Sequence, residues 1–308
     1  MLLRLSGQIG SGKGSAISSS KPLNLQNYES QLERCFKKKS GAVAILLEVN
    51  SPGGSPAQSS LLHSRLLYHK KKYPDAPPVH AFCTDVCASG GYYIASACDE
   101  IHVLPSTIIG SVGVVSPSLG FVEFMRKYGI EDRTMHAGKS KIGDHPLAPR
   151  NPEAILQKTA ILSELHEDFM AKVVAGRGDK LKHAAAVAYQ REVTGESEPW
   201  SVFDLLTFGL FKGVEVTADH TSPLFDGSVY TGVAAVQLGL ADSLYEDMEE
   251  AVKEKFGEDV RIKELKPKPS ITDLVEELSE GGLKGAGASF AEGALSHVNS
   301  ALVEATTK

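Results

Sequence analysis

The chain has 308 residues, of which 42% are hydrophobic and 23% are charged, and its formal net charge is −6. This length accommodates one large domain or two small ones with a full hydrophobic core. The acidic balance argues against a partner that presents a phosphate backbone, so we expect no nucleic-acid binding. No apolar run reaches the roughly 18 residues that a membrane-spanning helix requires, so we predict no transmembrane helix.

The four cysteines are too few and too irregularly spaced for a disulfide scaffold. Cys83 and Cys87 lack a second ligand pair, so the spacing does not favour a zinc site. We therefore expect reduced, buried cysteines, no metal and no cofactor. The cysteines are Cys35, Cys83, Cys87 and Cys98.

The first elements in chain order are a strand from Leu2 to Ile9 and a glycine-rich loop. The spacing Gly7-x4-Gly12-Lys13 is typical of a phosphate-binding loop. However, Gly14 stands where such a loop needs Ser or Thr for magnesium, so we predict a flexible loop. The first twenty residues contain no acidic residue, which is also typical of organelle presequences. The sequence therefore does not determine the cellular compartment.

Two strand–turn–helix units follow a helix predicted over 24–39. The first has an almost continuous apolar strand over 42–49, a Gly-Gly turn and a helix over 57–71. The second, over 79–98, has an alternating apolar strand, a turn of very small residues and a small-residue helix. Apolar strands of this kind indicate a parallel sheet covered on both faces, in the α/β class. Both turns are then expected at the carboxyl edge of the sheet, where α/β proteins place their sites.

Ser89 lies in the second turn, between the strand and the helix. A serine at this position exposes its hydroxyl at a helix N-terminus, where backbone N–H groups can stabilise an oxyanion. Serine also caps helices, and the local sequence leaves both roles open. A nucleophilic serine needs a base, and no motif fixes one. The candidate bases are His63, His80, His136, His145, Lys139 and Lys141.

The second half of the chain begins with short strands predicted over 101–104 and 108–115 and a helix over 121–128. A long amphipathic helix follows over 151–175. Residues 183–221 interrupt this order, and we predict an insertion there. We expect its apolar run, Trp200 to Phe211, to be buried or to contact another subunit. A strand and a helix resume over 225–240.

Four short motifs follow one another along the chain: Asn50-Ser51-Pro52-Gly53-Gly54, Ala88-Ser89-Gly90-Gly91-Tyr92, Gly110-Ser111-Val112-Gly113-Val114-Val115 and Gly138-x-x-Lys141. In order and spacing they resemble the signal peptide peptidase A / protease IV family, and the chain looks closest to its single-domain SohB-like branch. Residues 230–242 resemble the closing motif of that family. The resemblance covers about 1–182 and 222–250.

The resemblance implies a ClpP/crotonase-like α/β fold with a layered sheet core and flanking helices. We expect a single domain over 1–265 and a flexible C-terminal tail over 266–308. It also implies a serine–lysine dyad without a metal or cofactor. Ser89 matches the nucleophile, Lys141 the general base, and Ser111 a serine that hydrogen-bonds the lysine. The residues that match the oxyanion donors are Gly54 and Gly90.

The same resemblance implies a serine endopeptidase. Because small residues line the nucleophile turn, we expect hydrophobic peptide substrates, such as signal or membrane-protein remnants. Two-repeat members of the family supply the serine and the lysine from different repeats. This chain has one copy of each motif, so we expect a homo-oligomeric ring in which neighbouring subunits share each site. Lys139 falls two residues short of the family position and is expected at the surface. The family's N-terminal membrane anchor is not recognisable, so we expect at most peripheral membrane contact.

Two other functions stay open. An acyl-CoA hydratase or hydrolase of the crotonase type would share the fold and the two-turn oxyanion hole. Such an enzyme would need acidic catalytic residues in place of Lys141, and the sequence places none obviously. A catalytically silent assembly scaffold is the second alternative, against which the set of Ser89, Ser111 and Lys141 argues.

Overall fold

The computed structural model describes residues 1–12, 22–37, 41–194 and 222–265. Lys13 of the glycine-rich loop, the apolar run from Trp200 to Phe211 and the predicted tail over 266–308 lie outside the described residues. No helix in the described part of the chain has the length and apolar character to cross a membrane.

A mostly parallel sheet of seven strands lies at the centre of the described chain. Five strands lie side by side in the order β1-β2-β3-β4-β7 and pair in parallel, while β5 continues alongside the end of β3 and pairs antiparallel with β6. Helices flank this sheet, which confirms the predicted α/β class. The strands are β1 (Leu2–Ser6), β2 (Ile45–Ser51), β3 (Val79–Ala88), β4 (Glu100–Val103), β5 (Ile108–Gly110), β6 (Val229–Thr231) and β7 (Ser243–Leu244).

Short polar side chains begin most of the helices. Asn24, Ser55, Asn151, Thr231 and Asp247 each accept a hydrogen bond from an N–H group of the first turn. The helices are α1 (Leu25–Phe36), α2 (Pro56–Lys72), α3 (Gly90–Ala95), α4 (Val122–Tyr128), α5 (Pro152–Arg177), α6 (His183–Thr194), α7 (Gly232–Leu238) and α8 (Met248–Phe256).

Both faces of the sheet are buried, as its apolar strands predict. A large apolar cluster includes Leu47 and Cys83 and lies against α1, α2, α3 and α5. Alternate residues of the same strands, such as Leu46 and Phe82, face a smaller cluster with Val252 of α8. Because successive strand side chains point to opposite faces, a strand between two covered faces must be apolar at almost every position.

Two predicted strands are shorter in the structure than in the sequence analysis. The first ends at Ser6 rather than Ile9, because Gly7 has a positive φ of 98° that turns the chain out of the extended conformation. The strand predicted over 108–115 ends at Gly110, where φ is 104°, and Ser111 follows with a φ of 53°. Both turns bring backbone to the carboxyl edge of the sheet.

A buried arginine ties the end of α5 to the chain that follows α7. Arg177 is 3% exposed and donates to the Gly239 carbonyl from Nε at 3.1 Å and from Nη2 at 2.9 Å. Its Nη1 donates to Asp242 Oδ2 at 2.6 Å, and Lys180 Nζ lies 2.6 Å from Oδ1. Burial raises the pKa of Asp242, but the hydrogen bonds donated to its carboxylate outweigh burial and bring the pKa to about 2.

Replacing Arg177 should destabilise the fold far more than replacing Lys180. Arg177→Met leaves the half-buried Asp242 carboxylate without its buried partner, so we expect a loss of about 3 kcal/mol in the free energy of unfolding at neutral pH. Lys180→Met should cost about 1 kcal/mol or less, because the Lys180 side chain is 45% exposed. Urea denaturation of both variants checks this, and equal losses would contradict it.

The same variants give a pH test with a defined sign. The folded-state pKa of Asp242 lies below its ordinary value, so its contribution to stability is present above about pH 4. That contribution is lost as pH falls toward the folded-state pKa of about 2. The stability difference between wild type and Arg177→Met should therefore shrink between pH 4 and pH 2.

Candidate active site

The turns after β2 and β3 meet around a cavity of about 620 Å³ at the carboxyl edge of the sheet. Ser89, Ser111, Gly54 and Gly90 all line this cavity. The structure therefore brings these four predicted site residues together from three separate stretches of the chain. Lys141 is not among the described residues that line the cavity.

Ser89 is held at the start of α3 in an unusual conformation. Its φ of 51° and ψ of −122° are seldom adopted by a residue with a side chain. Its N–H donates to the Gly110 carbonyl and its own carbonyl accepts from the Tyr93 N–H, both at 2.9 Å. Its side chain makes no capping hydrogen bond, in contrast to the polar residues that begin most other helices. A strained strand-to-helix turn of this kind exposes a serine hydroxyl for chemistry.

Within the described ranges, this kind of backbone strain occurs at residues that line the cavity. Among the described residues, Ser89 and Ser111 are the two non-glycine residues with positive φ, and both line it. Ser111 donates its N–H to the Ser228 carbonyl at 2.7 Å, and its carbonyl accepts from the Gly113 N–H at 2.9 Å. Residues held in sparsely populated conformations cluster at active sites, so this pairing marks the cavity as functional.

The first glycine turn packs directly against Ser89. A Cβ on Gly53 would lie 2.8 Å from Ser89 Cβ, and a Cβ on Gly54 would lie 2.0 Å from the Ile9 carbonyl oxygen. The Ile9 N–H donates to the Gly53 carbonyl and the Ser55 N–H donates to Ile9, both at 2.9 Å. Only glycine fits at these two positions, because a side chain on Gly53 would meet the Ser89 turn and one on Gly54 would meet the backbone of Ile9.

Two backbone N–H groups at the cavity are available to a ligand. Gly90 is the first residue of α3, so its N–H has no acceptor within the helix. Neither Gly90 nor Gly54 donates its N–H to any residue of the described ranges. One donor from each turn is the arrangement that an oxyanion hole requires.

The sequence analysis did not single out two residues of the cavity wall. Ser59 of α2 is buried, and its Oγ would lie 2.3 Å from a Cβ on Gly90. Tyr93 also lines the cavity, and its hydroxyl donates to Asp168 Oδ2 at 2.5 Å. Tyr93 follows Ser89 by one helical turn, which is the signal that could have indicated it.

Neither candidate lysine lies in the cavity of its own chain. Lys141 is exposed in the turn between α4 and α5, where its N–H donates to the Gly138 carbonyl at 3.2 Å. Lys139 is also exposed, with its Nζ 2.8 Å from Glu153 Oε2. Lys139 was predicted at the surface, and the structure places it there.

The candidate histidines are not among the described residues that line the cavity either. His63 is buried beside Tyr93, and burial lowers the pKa of its imidazole to about 4. His80 is buried on the other face of the sheet, 3.0 Å from His102. His136 and His145 lie in the segment before α5, where His145 is 3.4 Å from an aspartate. Within the described chain, Ser89 therefore has a cavity and two N–H donors but no base.

The comparisons with known proteins agree with the motifs. Residues 71–197, which include Ser89, Ser111 and Lys141, match peptidase family S49. A putative signal peptide peptidase SppA of Enterococcus faecium is 28% identical over 242 residues, covering 79% of this chain and 58% of that protein. The resemblance to the signal peptide peptidase A / protease IV family is thereby confirmed, with residues 71–197 as the part of the chain that matches peptidase family S49.

Two further proteins are similar over most of the chain. A Na⁺/H⁺ antiporter NhaA of Brucella abortus (strain 2308) is 34% identical over 274 residues, covering 88% of this chain and 31% of that protein. A solved structure of the 1510-N membrane-bound stomatin-specific protease with a substrate peptide is 18% identical, covers 91% of this chain and 96% of that chain, and has a TM-score of 0.44. The chain spans less than two thirds of the length of the antiporter and of the SppA relative.

Replacing Ser89 with glycine should give a more stable protein than replacing it with alanine. Glycine adopts the conformation of Ser89 without strain, so Ser89→Gly should be about 1 kcal/mol more stable than Ser89→Ala, which keeps the Cβ. Ser118→Gly is the matched control, because Ser118 does not have a positive φ. Ser118→Gly should be no more stable than wild type. Thermal or urea unfolding measures all three, and equal stability of the two Ser89 variants would contradict the assigned strain.

Proposed function

We propose that this chain is a serine endopeptidase in which Ser89 is the nucleophile and Lys141 of a second copy is the general base. The observation that carries the proposal is the strained, uncapped Ser89 on a cavity that also presents two unpartnered N–H groups. The match to peptidase family S49 supports peptide-bond hydrolysis as the reaction.

The first chemical step is acylation. Ser89 Oγ attacks the carbonyl carbon of the scissile bond while its proton passes to Nζ of a neutral Lys141. The N–H groups of Gly54 and Gly90 donate to the oxygen that becomes negative in the tetrahedral intermediate. Fixed donors of this kind stabilise the developing charge without reorganising during the reaction.

The remaining steps complete acylation and then release the acyl group. The tetrahedral intermediate collapses, the C–N bond breaks, and the leaving amine takes the proton from Lys141. Water then attacks the acyl-enzyme and gives its proton to Lys141. The bond between the acyl carbon and Ser89 Oγ breaks, Ser89 takes that proton back from Lys141, and the acid product leaves. Ser111 lines the same cavity, and its proposed role is to hydrogen-bond the lysine that enters there.

An exposed apolar surface supports the proposal that a second copy of the chain binds beside the first. The helices on either side of the Lys141 turn, α4 and α5, expose large apolar side chains that a single chain leaves in water. Burying this surface against another subunit would bring the Lys141 turn to that subunit, and repetition of one such contact generates a ring when the rotation closes. The most exposed of these side chains are Phe124 (56%), Tyr128 (60%), Leu156 (70%) and Ile161 (52%).

The cavity wall supports hydrophobic peptide substrates. Pro52, Pro56, Tyr93, Val114 and Val115 line it, and Val115 is 82% exposed. These side chains offer apolar surface to the residues next to the scissile bond, while the two N–H groups orient its carbonyl. We propose peptides from signal or membrane-protein segments as the substrate class.

Single substitutions test the two catalytic roles. Ser89→Ala and Lys141→Ala should each lower kcat for a hydrophobic peptide about a thousandfold or more while leaving the fold intact. Lys141→Arg should be as inactive as Lys141→Ala, because arginine does not release its proton. Lys139→Ala and Ser118→Ala are the matched controls and should keep wild-type turnover.

Covalent labelling identifies the nucleophile independently. A fluorophosphonate should modify wild type on the peptide that contains Ser89 and should not modify Ser89→Ala. Near wild-type turnover in Ser89→Ala, or a loss confined to Lys139→Ala, would overturn the assignment.

The acyl-CoA hydratase alternative has its own test. Asp226 is the acidic residue among the described residues lining the cavity, and its Oδ1 accepts the Ser228 N–H at 2.7 Å. A hydratase would depend on such an acid. Hydration of an enoyl-CoA that is lost in Asp226→Asn but kept in Ser89→Ala would favour that function over peptide hydrolysis.

A further inference from the structure

We propose that His80, Glu100 and His102 form a binding site for a divalent transition-metal ion, with Zn²⁺ as the best match. The site lies on the face of the sheet that α8 covers, away from the cavity of Ser89. No metal was expected from the sequence, because Cys83 and Cys87 lack a second ligand pair. The inference does not depend on the proposed peptidase function.

Strand pairing brings the three side chains together. In the parallel register of β3 and β4, His80 lies opposite Glu100 and Phe82 lies opposite His102. Residues two apart on a strand share a face, so His80, Glu100 and His102 all point to the same side of the sheet. Their donor atoms converge there, all within 4.8 Å of one another.

The distances fit a single metal ion. His80 Nδ1 and His102 Nε2 are 3.0 Å apart, and Glu100 Oε2 is 3.4 Å from His102 Nε2 and 3.7 Å from His80 Nδ1. A point equidistant from three atoms with these separations lies about 2.0 Å from each, which is the usual length of a Zn–N or Zn–O bond. Two imidazoles and one carboxylate are also a donor set that zinc prefers.

The two imidazoles are buried and already face each other at the cluster. His80 is 2% exposed and His102 is 6% exposed, and His80 Nδ1 and His102 Nε2 are hydrogen-bonded at 3.0 Å, a contact that a metal ion between them would replace. The other nitrogen of His80, Nε2, has no partner among the described residues. His102 Nδ1 is held by Ser243 Oγ at 2.7 Å, which fixes its ring and aims Nε2 at the cluster. A ligand histidine held through its other nitrogen is the usual arrangement around a metal.

Lys255 of α8 lies where it would compete with a metal ion for the Glu100 carboxylate. Its Nζ lies 2.6 Å from Glu100 Oε2, the same oxygen that faces the two imidazoles. The side chains of Glu100 and Lys255 are 34% and 38% exposed, so the cluster is reachable from solvent on this side. A metal ion would take over the carboxylate oxygen, and the ammonium would move into water. Three protein ligands then leave the fourth position of a tetrahedral site to water.

The expected role of the metal is to stabilise the sheet. The site joins β3 to β4 near the start of β3, while Ser89 follows its far end nine residues later. At the rise of a strand, that separation is on the order of 30 Å. A metal ion at the cluster therefore contacts neither substrate nor nucleophile, and it should raise the melting temperature without entering the reaction.

Zinc titration of the full chain tests the site. After chelator treatment, titration calorimetry should show that one Zn²⁺ ion binds per chain. Thermal unfolding should show a higher Tm with Zn²⁺ than without it. Glu100→Gln should weaken binding at least tenfold, and Lys255→Met should tighten it several-fold, because the competing cation is gone. His136→Gln is the control for surface histidines and should bind like wild type. Co²⁺ should show the intense visible absorption of a tetrahedral complex in wild type and lose it in Glu100→Gln.

The paired variants keep the test decisive even if a buried histidine cannot be replaced. Glu100 and Lys255 are both partly exposed, so their variants should fold, and circular dichroism verifies this. Equal Zn²⁺ affinity in wild type, Glu100→Gln and Lys255→Met would overturn the site. Absence of binding by wild type at about 100 µM Zn²⁺ or below would also overturn it.

Discussion

The contact between two tight turns is the constraint on which the candidate site depends. Gly53 lies so close to Ser89 that a Cβ on Gly53 would be 2.8 Å from Ser89 Cβ. The parallel pairing of β2 with β3 delivers both turns to one edge of the sheet, and the absence of side chains lets them touch. This contact places the serine hydroxyl and one N–H donor from each turn around a single cavity.

The rest of the fold holds that strained arrangement in place. The Gly110 carbonyl at the end of β5 accepts the Ser89 N–H. Helix α3, which begins directly after Ser89, is fully buried. Strained backbone costs on the order of 1–3 kcal/mol per residue, and it persists only where the surrounding structure fixes it. A sheet covered on both faces supplies that rigidity. Ser111, the second strained residue, is held in the same way by the chain before β6.

Local patterns in the sequence predicted much of this structure. Apolar strands followed by small-residue turns indicated a parallel sheet and the edge that carries Ser89, Gly54 and Gly90. Strand ends were less predictable, because the turns after Ser6 and Gly110 depend on positive φ angles at Gly7 and Ser111. A glycine in the sequence does not reveal its φ.

Contacts between distant residues were beyond the reach of the sequence. Ser59 approaches Gly90 from a different helix, and His80 meets His102 from the neighbouring strand. Both contacts depend on strand register and helix packing, which one sequence does not encode in a local pattern. The base that serves Ser89 is beyond the sequence for the same reason, because in the proposed mechanism it comes from another copy of the chain.

In the proposed mechanism, the two catalytic side chains of each site come from different subunits. Mixing Ser89→Ala subunits with Lys141→Ala subunits tests this most directly, because each variant alone lacks one of the two groups. If neighbouring subunits share the site, mixed assemblies contain interfaces that carry both an intact Ser89 and an intact Lys141. Peptide hydrolysis should then return to a substantial fraction of the wild-type rate. No recovery after subunit exchange has been demonstrated would contradict the account.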